Sequence, residues 1–300
     1  MTQLNLKIWN QRAPLALPRA GCAAGVLADK LIVAGGTYWL GGNKFWDVRV
    51  DAFDARANHW VALAPLPQPR GDAAALAVGD SFYVFGGGAE GGAESSVMCY
   101  QLGAWRESLA MKLLAPRRSS AVAMLDGMIY LLGGLAGTGS DFAAATSTVW
   151  AAQPEGFWRA RAPMPGPVRF SAAVGAVGGL LIVAGGCTPD EGKVRNLDEI
   201  LSYNPRTDRW SVIGHLPGAL RGACGLVVQN RLLVVGGYTD QFITQILSID
   251  PLTGLTATAG ILPLGLADTR FFQVGAEIIG VTGENGVKMR FPETLAAALP

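Results

Sequence analysis

Lys30-Leu31-Ile32-Val33-Ala34-Gly35-Gly36 decides the fold, because the chain is built from copies of it. An apolar run ending in a glycine doublet returns at Ser81 to Gly87, Met128 to Gly134, Leu180 to Gly186 and Arg231 to Gly237. A sixth copy, Glu277-Ile278-Ile279-Gly280-Val281-Thr282-Gly283, is followed by Glu284 where the second glycine is expected. From one first glycine to the next the steps are 51, 47, 52, 51 and 47 residues. A period near 50 makes 1–300 one repeat array rather than two unrelated domains.

Working outward from the doublet, each repeat reads as four short strands. In the second, Arg70 to Val78 is small and apolar, Gly79-Asp80 is a turn, Phe82 to Phe85 is the second strand and Val97 to Gln101 the third, while the fourth carries Trp105. Tight turns are expected at Asp29-Lys30, Gly79-Asp80, Asp126-Gly127, Gly178-Gly179, Gln229-Asn230 and Gly275-Ala276, where Gly, Asp and Asn supply the positive φ of primed hairpins. Four strands per unit predict an all-β propeller of six blades. Tryptophans at 9, 60, 105, 158 and 210 are expected to close the fourth strands and fill the wedges between blades. Trp9 precedes the first whole repeat, and the sixth runs out after three strands. The spacing therefore predicts that strand 4–9 pairs near 294–299 and completes the blade formed by 266–300, leaving no open edge.

Half the residues are hydrophobic, but no stretch has the roughly 18 uncharged apolar residues of a membrane helix, so no membrane partner is expected. A net charge of +1 removes the electrostatic reason to expect nucleic acid. The Met1 to Trp9 start lacks a basic region followed by an apolar core, so a cytoplasmic protein is expected. Cys22, Cys99, Cys187 and Cys224 form no CxxC pair and read as buried small side chains, with Cys22 and Cys224 three residues after an arginine in equivalent positions.

In a four-stranded meander the second-to-third and fourth-to-first connections emerge on one side. That side has the long loops: 37–46, 88–96, 135–147, 187–199, 238–241 and 285–292. An arginine stands at each entry to an inner strand: Arg19, Arg70, Arg117 and Arg169 lie 16 residues before their glycines, Arg221 lies 15 and Arg270 13, with Arg118 an alternative to Arg117. They either form a positive mouth for a carboxylate or phosphate, or bond loop carbonyls and neighbouring acids. Tyr38, Trp39 and Tyr238 are candidate walls for a ligand, or pack onto one another.

The glycine doublet, the strand Ile200 to Pro205, Trp210 and then Leu216-Pro217 and an arginine resemble the kelch motif, and the resemblance covers essentially the whole chain. It implies a kelch-type propeller of six blades, a fold that serves enzymes and binding modules alike. With only His59 and His215, the two-histidine copper site of kelch oxidases cannot be assembled, and the Glu-x3-Asp-x3-His iron motif of plant specifier proteins is absent; no metal or cofactor is expected. Thr282-Gly283-Glu284-Asn285-Gly286-Val287-Lys288-Met289-Arg290 resembles a Gly-Glu-x5-Arg segment of the bacterial kelch-type N-acetylneuraminate mutarotases, also called sialic acid epimerases. That resemblance implies catalytic roles for Glu284 and Arg290 and an acidic sugar as small-molecule partner. Read from the residues alone, Glu284 is either an acid/base or a salt bridge that holds its loop. The competing function is a non-catalytic propeller that takes an acidic peptide or glycan on the long-loop face; no particular protein partner is indicated.

Overall fold

The computed structural model describes residues 4–137 and 141–299, so the Met1-Thr2-Gln3 start and part of the 135–147 loop lie outside the described residues. Six four-stranded antiparallel sheets surround one axis as the blades of a β-propeller. Blade 1 runs outward through Ala23–Leu27, Lys30–Ala34, Val50–Asp54 and His59–Leu63. The inner strands of blades 2 to 6 are Ala74–Val78, Ala121–Leu125, Ala173–Val177, Cys224–Val228 and Arg270–Val274.

The apolar runs belong to second strands because these are covered on both faces. In Lys30–Ala34, Leu31 and Val33 pack with Ile279 and Val281 of blade 6, while Ile32 and Ala34 pack with Phe82 and Val84 of blade 2. With a side-chain period of two, such a strand has no polar face to keep. The core is thus six wedges between neighbouring blades rather than one central mass.

Both doublet glycines have positive φ, 62° at Gly35 and 96° at Gly36, and the Gly36 amide donates to the Arg70 carbonyl of the next blade at 2.6 Å. A Cβ on Gly35 would sit 2.3 Å from that carbonyl oxygen. Gly35→Ala is therefore expected to destabilise the protein by more than about 1 kcal/mol, since strained φ and backbone overlap add; a urea midpoint equal to wild type would show that the blades do not need this close approach.

The turn of blade 1 is Ala28-Asp29, one residue earlier than expected, with φ of 49° and 61°. Tryptophans open the fourth strands rather than close them: Trp60 lies opposite Phe53 and Trp210 opposite Tyr203. Each indole N–H reaches the preceding blade, Trp60 to the Ala13 carbonyl, Trp105 to Ala64, Trp158 to Met111, Trp210 to Ala162 and Trp9 to Ile261, at 2.6–2.9 Å. Because Trp9 opens its strand, the segment that completes blade 6 is Asn10–Arg12, paired with Thr294–Ala296, and not 4–9. Leu6 instead bridges Gly260 of blade 5. Among the described residues no helix is long and apolar enough to cross a membrane.

Candidate functional site at the channel mouth

On the long-loop side each blade closes its inner hairpin with one bridge between the residue entering the first strand and the residue after the glycine doublet. The pairs are Ala20 with Thr37, Gly71 with Gly88, Arg118 with Leu135, Phe170 with Cys187, Arg221 with Tyr238 and Ala267 with Glu284. The next residue in each blade, Gly21, Asp72, Ser119, Ser171, Gly222 or Asp268, has φ between 51° and 65°. These six line the axis as a ring: the amides of Asp72, Ser119, Ser171, Gly222 and Asp268 donate to the carbonyl of the preceding blade's ring residue at 2.7–3.0 Å. The ring surrounds a cavity of about 430 Å³, and a second of about 380 Å³ opens beside it under the loops of blades 1 and 2.

The mouth is lopsided. Blades 6, 1 and 2 contribute Ala267, Ala20 and Gly71, whereas blades 3, 4 and 5 contribute Arg118, Phe170 and Arg221. Phe142 stacks on Phe170 at 5.8 Å and 6°, closing the far side further. The entrance is therefore more open on the side of blades 6, 1 and 2, in that their entrance residues are the small ones, and Glu284 stands on that side.

These pairings correct the alignment of the sixth repeat. Gly283 donates to the Arg19 carbonyl as Gly36 does to Arg70, so Thr282-Gly283 is the doublet and Glu284 the residue after it. Thr282 takes the first glycine's place at φ 60°. Glu284 thus substitutes for no glycine; it occupies the mouth position held elsewhere by Thr37 and Tyr238. It begins a small hairpin, Glu284–Gly286 with Met289–Arg290, that sets Glu284 opposite Arg290.

Arg290 Nη1 contacts Glu284 Oε1 at 3.1 Å, while its Nε donates to the Thr37 carbonyl and its Nη2 to Thr37 Oγ1, both at 3.1 Å. Three bonds hold the guanidinium across the seam between the last and first blades. Glu284 Oε2 has no partner among the described residues. Burial, and after it the charges of Asp268 and Asp72, push the Glu284 carboxyl up to about 7, against the opposing pull of Arg290 and Lys44. Glu284 lines neither cavity directly, but Asp268, Asp72 and Lys44, whose charges it senses, do.

A carboxyl raised in this way binds its proton more tightly folded than unfolded, so its contribution to stability is present below about pH 4.5 and is lost as pH rises to about 7. Glu284→Gln is expected to match wild type at pH 4.5 and to be more stable than it at pH 8 by roughly 2 kcal/mol. Urea unfolding at the two pH values checks this; equal curves at pH 8 would mean that the salt bridge to Arg290 fully offsets the cost of burial.

The arginine mouth divides in two. Arg19, Arg70, Arg117 and Arg169 are at most 5% exposed and lie inside the blades, which excludes them from contact with a ligand. Arg19, Arg70 and Arg169 donate to the carbonyls of Gly35, Gly86 and Gly185, and Arg117 to those of Pro116 and to Thr148 Oγ1 while stacking on Trp150 at 4.3 Å. Their spacing of 16 residues is the signature of this inward place, which Leu220 and Leu266 take in blades 5 and 6. Arg221, like Arg118, lies one residue later, and a shift of one reverses the face of an extended chain. Arg118 and Arg270 line the central cavity, with Arg270 Nε on the Cys22 carbonyl at 3.3 Å. Arg221 stacks on Tyr238 at 4.6 Å and donates to Asn196 Oδ1 at 2.7 Å. The same one-residue offset makes Cys22 and Cys224 non-equivalent; both are buried thiols, and burial pushes Cys22 up to about 11.

Tyr38 stacks on Phe45 at 5.4 Å within its own hairpin, and Trp39 lies under Lys288 Nζ at 4.6 Å. These two serve the loops rather than the cavity lining. His59 is on an outer strand, and exposed His215 faces Asp198 at 3.3 Å; neither lines a cavity. Sequence reasoning missed Asp72, Asp268, Lys44, Trp46 and Phe142. For the two aspartates the signal was available, since each lies at the repeat position immediately after the strand-entry residue.

A model described as Kelch motif matches residues 169–217. Among curated proteins the chain is 28% identical over 208 residues to Kelch-like protein 25 of Xenopus tropicalis, covering 67% of this chain and 34% of that protein. It is 28% identical to Kelch-like protein 34 of Homo sapiens, over 76% of this chain and 36% of that one, and 30% identical to Kelch-like protein terF of Aspergillus terreus, over 59% and 41%. The chain thus spans little more than a third of the length of the first relatives it matches. A solved structure titled YjhT superposes with a TM-score of 0.77 over 94% of this chain and 95% of that one, at 15% identity, a likeness that shows the fold.

Proposed function

We propose that the protein is a sugar mutarotase or epimerase acting on sialic acid or a related acidic sugar, with Glu284 as the acid/base. The observation that carries this reading is the placement of Glu284: half-buried at the open side of the mouth, one oxygen held by Arg290, the other uncommitted, and a carboxyl that changes charge near pH 7. Ring opening removes a proton from the anomeric hydroxyl and delivers one to the ring oxygen as the bond from that oxygen to the anomeric carbon breaks. Reclosure on the other face reverses both transfers. A carboxyl poised near neutrality can take the first proton and return it. Arg290, with most of its donors engaged by Glu284 and Thr37, positions the carboxylate, and Arg118 and Arg221 offer the fork for the sugar's own acid group.

Two-dimensional exchange NMR on N-acetylneuraminate, at a pH where spontaneous anomer exchange is slow, tests the proposal. Accelerated exchange is expected. The kelch-like character of the sequence relatives favours the second reading, an acidic peptide or glycan held on the same face without turnover. Broadened sugar lines with no accelerated exchange would select it.

A further inference from the structure

Resting on the reading above, we infer that the floor of the open half of the mouth, Asp268, Gly21 and Asp72, is a subsite for the hydroxyls of a polyhydroxylated ligand, which makes this face selective for sugar acids over plain carboxylates. The three residues are consecutive around the ring, from blades 6, 1 and 2, beneath the small entrance residues Ala267, Ala20 and Gly71. The rest of the ring, Ser119, Ser171 and Gly222, lies under the bulky half.

Three features mark the floor as part of a built cavity. Both carboxylates lean over a glycine of the preceding blade: a Cβ on Gly21 would lie 2.3 Å from Asp72 Oδ1, and one on Gly222 would lie 3.1 Å from Asp268 Oδ1. Among the described residues neither carboxylate has a hydrogen-bond or ion-pair partner, although both line the 430 Å³ cavity together with Arg118 and Arg270. Asp72 also borders the neighbouring cavity, where Trp46 and Lys44 offer an apolar face and a cation. Acceptors without donors, set between cations at entrance and interior, fit a ligand that has an acid group at one end and hydroxyl donors at the other. A carboxylate accepts from two vicinal hydroxyls at once, and Asp268, whose carboxyl burial holds above the usual aspartate range against the pull of Arg270, can also donate to one when protonated. An acidic peptide would bring its carboxylates against these aspartates and be repelled.

The test is an NMR titration of the full chain with four probes: N-acetylneuraminate, glucuronate, cyclohexanecarboxylate, which has a six-membered ring and the acid but no hydroxyls, and an acidic peptide of alternating Glu and Gly. At least one sugar acid is expected to bind tenfold or more tightly than cyclohexanecarboxylate and the peptide. In the double variant Asp72→Ser, Asp268→Ser that preference over cyclohexanecarboxylate is expected to fall to within twofold. Serine already occupies this ring position in blades 3 and 4, and a thermal midpoint close to wild type confirms folding; should the double variant not fold, each single variant is expected to lose part of the ratio. A wild-type ratio under twofold, a ratio unchanged by the substitutions, preferred binding of the peptide, or no binding of either sugar acid overturns the inference. Binding is read without turnover: selective binding with no anomer exchange removes the mutarotase reading alone, and exchange without aspartate-dependent selectivity removes this subsite alone.

Discussion

Glu284→Gln is expected to lower protein-accelerated anomer exchange by at least about a hundredfold, the range for loss of a positioned acid/base. The amide keeps the size of the side chain and can still accept from Arg290 Nη1 through its oxygen, so the hairpin 284–290 should persist. What disappears is the ability to take a proton. Because the wild-type carboxyl lies near 7, exchange should also rise through that pH as the base ionises, and the variant should lose the inflection. Exchange in the variant equal to wild type would remove Glu284 from the chemistry and leave it a structural partner of Arg290.

Arg19→Leu is expected to destabilise the protein by roughly 3–5 kcal/mol, the usual consequence of removing one member of a buried ion pair. Arg19 is fully buried and donates to the carbonyls of Gly35 and Arg49, to Asp47 at 3.3 Å and to Asp51. Leucine fits this place in blade 5, where Leu220 stands, but blade 1 would keep two carboxylates facing an apolar side chain. Arg70→Leu is the control: its partners are the Gly86 and Ser96 carbonyls and the Ser96 hydroxyl, so no ion-pair partner is stranded and the loss should be about half as large. Thermal unfolding compares them, with a fall of roughly 5–10 °C expected for Arg19→Leu. Sugar binding per folded molecule should be unchanged in both, since neither guanidinium reaches the cavity. Equal midpoints for Arg19→Leu and wild type would contradict the structural role.

The division of the arginines shows how far linear spacing reaches. An interval of 16 residues from arginine to glycine marks the inward position, and the intervals of 15 at Arg118 and Arg221 mark the mouth. The sixth doublet obscures the rule, because Gly283 stands where the spacing expects a first glycine but takes the second glycine's place. With Thr282 as its first member the interval of 16 falls on Leu266, and blade 6 has no inward arginine. A threonine at positive φ is unfavourable, so local propensity argued against the correct alignment. The Gly283 hydrogen bond to blade 1 decided it. The closing strand differs for a similar reason: spacing alone puts the tryptophan at the end of its strand, whereas the strand register and the indole contact with the preceding blade put it at the start.

By itself the sequence determined the architecture: a period near 50, doubly buried apolar runs and glycine doublets leave a six-bladed ring as the arrangement that covers every second strand, because each blade needs a neighbour on both faces. The resemblance of segment 282–290 to the kelch-type mutarotases added Glu284 and Arg290 as a candidate pair. The tertiary structure alone decided which charged residues share the mouth. Asp72 and Asp268 are 196 residues apart in the chain and lie on either side of Gly21 only because blades 6, 1 and 2 are consecutive around a closed ring. Closure brings first and last repeats together, a relation that no local pattern contains, and the open half of the mouth forms across that seam.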